Sequence, residues 1–162
     1  MNKKSWLDYL FYQIGNQQYD FYLQYSKKDK INTKWKKYSE VIFPVDFDGT
    51  CEDKKIQWFF ENVNHRQILP NEIVLDLEEK ELLNPAIEKL KEWSWDFSAF
   101  ATGSRGYHIH IFMKRELTER EKLNIIKQFN ADTQKASGKC LISLEYAPHW
   151  KSNKIKDLVN GN

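Results

Sequence analysis

The sequence predicts an α+β fold built on a split β–α–β unit. Between residues 70 and 145 the apolar period alternates between two and about 3.6, in the order strand–helix–strand–strand–helix–strand. Two of those strands carry apolar residues on one parity and ionisable residues on the other. The length, 162 residues, suits one compact domain with a short N-terminal extension.

In chain order, residues 5–14 hold Trp6, Tyr9 and Leu10 at helical spacing, and Gly15 suits the stop. The stretch Tyr19 to Tyr25 reads as a second helix. Residues 27–38 interleave six lysines with Trp35 and Tyr38. A single-strand groove, with Lys34, Trp35, Lys36 and Lys37 on a template, and a solvated loop both fit this segment. Asp46 and Asp48 form an Asp-x-Asp pair, but Asp48-Gly49-Thr50 is turn chemistry and Pro44 marks an edge, so a turn is the preferred reading. Residues 52–64 read as a helix. Residues 1–66 thus form a helical or mixed extension, and residues 67–162 the core.

Within the core, Glu72 to Glu78 is a strand with Ile73, Leu75 and Leu77 on one face and Val74, Asp76 and Glu78 on the other. Asn84 and Pro85 suit a helix start, with Ile87, Leu90 and Trp93 on the buried side. Phe97 to Ala101 is the second strand. Thr102-Gly103-Ser104-Arg105-Gly106 is a turn, and Tyr107 to Met113 the third strand. Thr118 caps the next helix, Glu121 completes a capping box, and Leu123, Ile126 and Phe129 form its stripe. Cys140 to Glu145 is the fourth strand. This order is the RNA-recognition-motif-like or ferredoxin-like sheet with helices on one face. Its first and third strands are neighbours at the sheet centre, so Asp76 and Glu78 are expected beside His108 and His110.

Composition narrows the classes. Aromatic residues are 15% of the chain and the net charge is +2. Nucleic-acid binding is permitted but not demanded. Cys51 and Cys140 lack CxxC or CxxH spacing, which argues against a zinc knuckle. The apolar runs are only a few residues long, so no membrane span and a cytoplasmic location are expected.

The chemistry gathers at the acids and the glycine turn. Two acids at i, i+2 can share a divalent cation, and hard oxygen ligands select Mg²⁺ or Mn²⁺. Arg105 can grip a triphosphate bidentately, and His108 can donate to a phosphate. The competing reading is a set of solvent-facing residues on an open sheet.

Asp76-Leu77-Glu78 followed by Thr102-Gly103-Ser104-Arg105-Gly106-Tyr107-His108 resembles the first two motifs of the archaeo-eukaryotic primase superfamily, with Thr102 in place of the usual Ser. The resemblance covers about residues 70–152. It implies a template-directed nucleotidyltransferase, a DNA primase or primase-polymerase with a two-metal Mg²⁺ or Mn²⁺ site. Asp76, Glu78 and Asp132 would hold the metals, with Glu145 as the alternative third acid. Thr102, Ser104, Arg105, His108, His149 and Lys151 would bind the incoming nucleotide. Ser143 stands where the family has Arg or Lys. The implied partners are single-stranded DNA template, NTP or dNTP, and a helicase or large primase subunit.

Two other readings compete. His108-Ile109-His110 matches the His–hydrophobic–His pattern of rolling-circle replication nucleases, which place both histidines on one metal. A non-catalytic single-strand-binding sheet is the third, although Asp76 and Glu78 would repel a phosphate backbone.

Overall fold

In the computed structural model, residues 2–15, 22–24, 36–37, 60 and 63–161 are described. Helix α1 (Lys3–Gly15) starts two residues before the predicted span, because Asn2 and Ser5 cap it reciprocally. Tyr22–Gln24, expected in a helix, is strand β1, paired antiparallel to β2 (Lys36–Lys37) and β3 (His65–Gln67). Lys34, Trp35, the Asp46–Asp48 pair and most of the 52–64 helix lie outside the described residues.

The core follows the predicted order through its third strand. Strand β4 (Glu72–Leu77) leads through a 3-10 turn into α2 (Leu83–Glu92), then β5 (Ser98–Ala101) and β6 (Tyr107–Phe112). Helix α2 begins before Asn84, and Pro85 sits in its first turn, where no amide donor is needed. Helix α3 (Glu119–Ile126) begins at the predicted cap, with Thr118 Oγ1 accepting from the Glu121 amide at 3.2 Å.

Strands β4 and β6 pair antiparallel with Asp76 opposite His108 and Val74 opposite His110. Ile73, Leu75, Leu77, Ile109 and Ile111 turn together against Ile87 and Leu90 of α2 and Ile126 of α3. The parity expected for both strands holds.

The fourth strand departs from expectation. Strand β7 (Leu141–Ser143) pairs with β3 in a separate sheet of order β2-β1-β3-β7. The main sheet runs β4-β6-β5-β8, closed on the far side by β8 (Asp157–Gly161). Strand β4 is therefore at an edge, not the centre. Its backbone is partly covered there, because the Asp132 amide donates to the Asp76 carbonyl at 3.0 Å.

The ionisable face of the sheet is not open. Helix α1 lies on it: the Trp6 ring meets Phe100 at 4.9 Å and His110 at 5.9 Å, edge-on. Trp6, Leu7 and Leu10 are fully buried. No helix among the described residues is long and apolar enough to cross a membrane.

Candidate active site

Two glycines seat the turn between β5 and β6. Gly103 (φ 76°) and Gly106 (φ 86°) both take the left-handed conformation that side chains disfavour. A Cβ on Gly106 would overlap the Leu77 carbonyl, and one on Gly103 would overlap the Lys154 carbonyl. The turn thus rests directly on the end of the strand that carries Asp76. Thr102 is buried, and its hydroxyl donates to the carbonyls of Arg105 (3.1 Å) and Gly106 (3.3 Å). It closes the turn and is not turned toward solvent. Ser104 and Arg105 are exposed at the tip.

The loop that carries His149 and Lys151 packs on the same turn. His149 lies against Gly103, and the Ser152 hydroxyl donates to the Gly103 carbonyl. His149 Nδ1 accepts from the amides of Lys151 (3.2 Å) and Ser152 (3.3 Å), which leaves Nε2 as its proton-bearing nitrogen. Lys151 is exposed. A cleft of about 480 Å³ opens beside the turn, lined by Glu78, Lys80, Ser104, Arg105 and Lys154 among others. Three cations and a glycine turn make it suited to a polyanion.

Across the strand pair, His108 Nε2 lies 3.6 Å from Asp76 Oδ1, too long for a direct hydrogen bond. Asp76 Oδ2 is 3.3 Å from Lys135 Nζ, and Asp132 Oδ2 is 3.7 Å from the same ammonium. Burial opposes the charge of Asp76, but His108 and Lys135 outweigh it and hold the carboxyl at about 2. Burial also opposes the charge of Lys135, and Cys140, Asp76 and Asp132 outweigh that and raise it. Asp132 Oδ1 is spent on the Gln134 amide at 2.9 Å, as cap of the 3-10 helix Thr133–Ala136.

Behind His108 lies a buried charge network. Lys156 Nζ is surrounded by Ser143 O (2.9 Å), His108 Nδ1 (3.0 Å), Glu145 Oε1 (3.0 Å) and His110 Nε2 (3.1 Å). An ammonium only donates, so His108 Nδ1, whose neighbour here is Lys156, accepts. His108 therefore carries its proton on Nε2, facing Asp76. His110 lies between two carboxylates, with Nδ1 2.7 Å from Glu72 Oε1 and Nε2 3.0 Å from Glu145 Oε1. Arg66 bridges Glu72 (2.7 Å) and Glu145 (3.0 Å). Arg66 and Lys156 balance Glu72 and Glu145, so the network is neutral when both histidines are neutral. Burial, and then the charge of Lys156, push His108 down to about 3 against the pull of Asp76. The same two causes lower His110. Burial opposes ionisation of Glu72, yet Arg66 and His110 hold it at about 2. Among the described residues, no buried side-chain nitrogen or oxygen lacks a partner.

The predicted site residues thus separate into groups. Asp76, His108 and Asp132 converge around Lys135 and the strand pair. Ser104, Arg105, His149 and Lys151 gather at the turn and the loop packed on it. Glu78 is exposed, one residue past the end of β4. Glu145 is fully buried and spent on Arg66, Lys156 and the Trp6 indole N–H, so it is closed to solvent ions. His110 is likewise enclosed, which removes the paired-histidine metal site that a rolling-circle nuclease needs. The open sheet face that a single-strand-binding module would use is covered by α1.

The donor set does not match a two-metal centre in this arrangement. Among the described residues, no group of three metal-ligating side chains converges. The position that faces both Asp76 and Asp132 holds the ammonium of Lys135.

No protein-family model and no curated protein sequence matches the chain. Among solved structures, the polymerase domain from Mycobacterium tuberculosis Ligase D in complex with DNA superposes with a TM-score of 0.51 at 11% identity. The fold is shared with that polymerase domain. The alignment covers 91% of this chain and 65% of the other, so this chain spans just under two thirds of its relative's length.

Lys135, Lys156, Arg66 and Glu72 are not among the residues that the motifs single out. Glu72 shares the parity of Asp76, and that signal was present. The two lysines and Arg66 carry no local signal, because each meets its partners through tertiary packing.

Proposed function

We propose that the chain is a template-directed nucleotidyltransferase, a primase or primase-polymerase that makes or extends primers on single-stranded DNA. NTP or dNTP is its substrate, and a helicase or large primase subunit its working partner. One observation carries the reading. The Thr102–Gly106 turn is seated on the end of the strand bearing Asp76, with His108 directly opposite that acid. The shared fold with a polymerase domain that was solved with DNA supports it.

In this reading the triphosphate enters the cleft beside the turn. Arg105 and Lys154 neutralise its charge, and the exposed Ser104 offers a hydroxyl. His108 presents its Nε2–H as a neutral donor, which orients a phosphate oxygen without adding charge near Asp76. His149 and Lys151 approach from the loop packed on Gly103. Mg²⁺ or Mn²⁺, which the resemblance implies, would supply Lewis-acid activation of the phosphoryl group. Asp76 and Asp132 both face the Lys135 ammonium, and Glu78 lines the cleft.

The test is incorporation. The protein is incubated with single-stranded template, Mn²⁺ or Mg²⁺, and labelled NTP or dNTP in parallel. Template-dependent extension is expected from the native chain. It should vanish in the Asp76→Ala, Glu78→Ala double variant, whose circular dichroism should remain native. Absence of extension by the native chain with either metal and either sugar would overturn the assignment.

A further inference from the structure

We infer that the cleft between α1 and the end of β6 holds an unpaired base of single-stranded DNA, with Tyr12 as the stacking ring and Lys114 on a neighbouring phosphate. The inference rests on the nucleotidyltransferase reading only for the choice of deoxyribose over ribose.

The cleft has a volume of about 630 Å³, with Tyr9, Tyr12 and Gln13 of α1 on one side and Phe112, Lys114 and Arg115 on the other. It lies at the opposite end of β6 from the Thr102–Gly106 turn. Tyr107 lines the triphosphate cleft and Phe112 lines this one, about 17 Å apart along the strand, so the two sites are separate. The walls are fixed. Buried Asn71 donates from Nδ2 to Gln13 Oε1 at 2.9 Å and to the Met113 carbonyl at 3.1 Å, which ties α1 to the segment after β6. The Met113 amide donates to the Asn71 carbonyl at 2.8 Å. The Tyr9 ring stands edge-on to Phe112 at 5.3 Å. Tyr12 follows Tyr9 by three residues and so shares its side of the helix, yet it is 66% exposed. An open ring beside two packed rings gives a base a face to stack on without first ordering the pocket. The cations stand at the rim. Arg115 is flanked by Glu116, to whose carbonyl it donates at 3.0 Å, and is held by Glu121 at 2.7 Å, so its charge is already offset. Lys114 is exposed and, among the described residues, makes no ion pair, which leaves its ammonium for a phosphate. A ring for the base and an ammonium for the backbone are the two parts of sequence-tolerant single-strand binding. A small apolar ligand would not use Lys114, and a bare polyanion would not use Tyr12.

The test reads strand binding, not turnover. Fluorescence anisotropy follows a labelled oligodeoxythymidine of about twelve nucleotides, within the footprint of a single-strand site, on the full chain with chelator and no nucleotide. Tyr12→Ala should weaken binding by about tenfold, the effect of losing one stacked base, while Tyr12→Phe should bind like the native chain. An abasic oligomer of equal length should bind the native chain more weakly and should not distinguish it from Tyr12→Ala. Lys114→Gln should weaken binding and lower the salt slope by about one released counterion. Thermal melts confirm that each variant is folded, and Lys114→Gln, an exposed change outside the helix, keeps the test open if Tyr12→Ala unfolds. Native affinity in folded Tyr12→Ala overturns the inference. So does an equal loss with the abasic oligomer, an unchanged salt slope in Lys114→Gln, tighter binding of the matching ribo-oligomer, or no binding by the native chain. A chain that holds the oligomer through Tyr12 yet incorporates no nucleotide leaves this site standing and removes the polymerase reading.

Discussion

Lys156 Nζ lies 3.0 Å from His108 Nδ1, and this contact decides which nitrogen of His108 faces Asp76. The lysine donates, the Nδ1 accepts, and the proton stays on Nε2. A residue eleven positions after Glu145 in the chain thus orients the histidine of the candidate site from behind. Replacing it with an isosteric apolar residue, Lys156→Met, should release His108 into a mixture of tautomers. Nitrogen-15 spectra of the imidazole at neutral pH would register this as averaging of two resonances that are distinct in the native chain. The same change removes one partner of a buried charge cluster, so stability should fall by about 3–5 kcal/mol in urea melts. A single unchanged tautomer in a folded Lys156→Met protein would refute the positioning role.

The turn offers a contrast between two neighbours. Gly106 needs its positive φ and its contact with Leu77, so Gly106→Ala should lower stability by about 1–3 kcal/mol and also weaken nucleotide binding. Arg105 is exposed at the tip, so Arg105→Ala should change stability by less than about 0.5 kcal/mol. Its loss should nonetheless weaken nucleoside triphosphate binding by about tenfold or more, as removal of a charge-assisted contact does. Denaturant melts and nucleotide titrations on the two variants separate these effects. Equal triphosphate affinity in Arg105→Ala and the native chain would remove Arg105 from the site.

Acid should destabilise the protein in two stages. His108 is neutral when folded, held down to about 3 from an ordinary 6.5. Below pH 6.5 the unfolded chain therefore binds a proton that the folded chain refuses. Each such histidine subtracts about 1.4 kcal/mol per pH unit over that window. His110, also lowered, adds to the slope. Below about 4.5 the depressed carboxylates follow, since Glu72 ionises at about 2 when folded. Their stabilisation is present above the ordinary carboxylate range and is lost as pH falls toward their folded values. Urea melts at stepped pH should show stability falling from near pH 6.5 and falling faster below 4.5. A flat profile between pH 6.5 and 4.5 would mean that His108 is not buried neutral.

Much of the core was legible because its signals are local. The alternation in β4 and β6 marked which residues face the helices, and Ile73, Leu75, Ile109 and Ile111 do so. The Thr118–Glu121 box marked the start of α3. Both signals depend on neighbours a few residues apart, and burial of one face enforces them. The fourth strand pairs with β3 and not with β4, for the opposite reason. Leu141–Ser143 has no preference for β4 over β3 in its own residues. Its partner is set by β3, a segment about 75 residues earlier, whose Arg66 needs Glu145 beside it.

The candidate site divides along the same line. By itself the sequence determined the glycine turn, the acid of β4 and its pairing with His108, because strand parity and backbone conformation are written in adjacent residues. Only the tertiary structure decided that Glu145 and His110 belong to a sealed charge network with Arg66 and Lys156. Only it decided that Asp132 arrives beside Asp76 with Lys135 between them. Charges must be balanced wherever water is excluded, and where that happens depends on which distant segments close over the sheet.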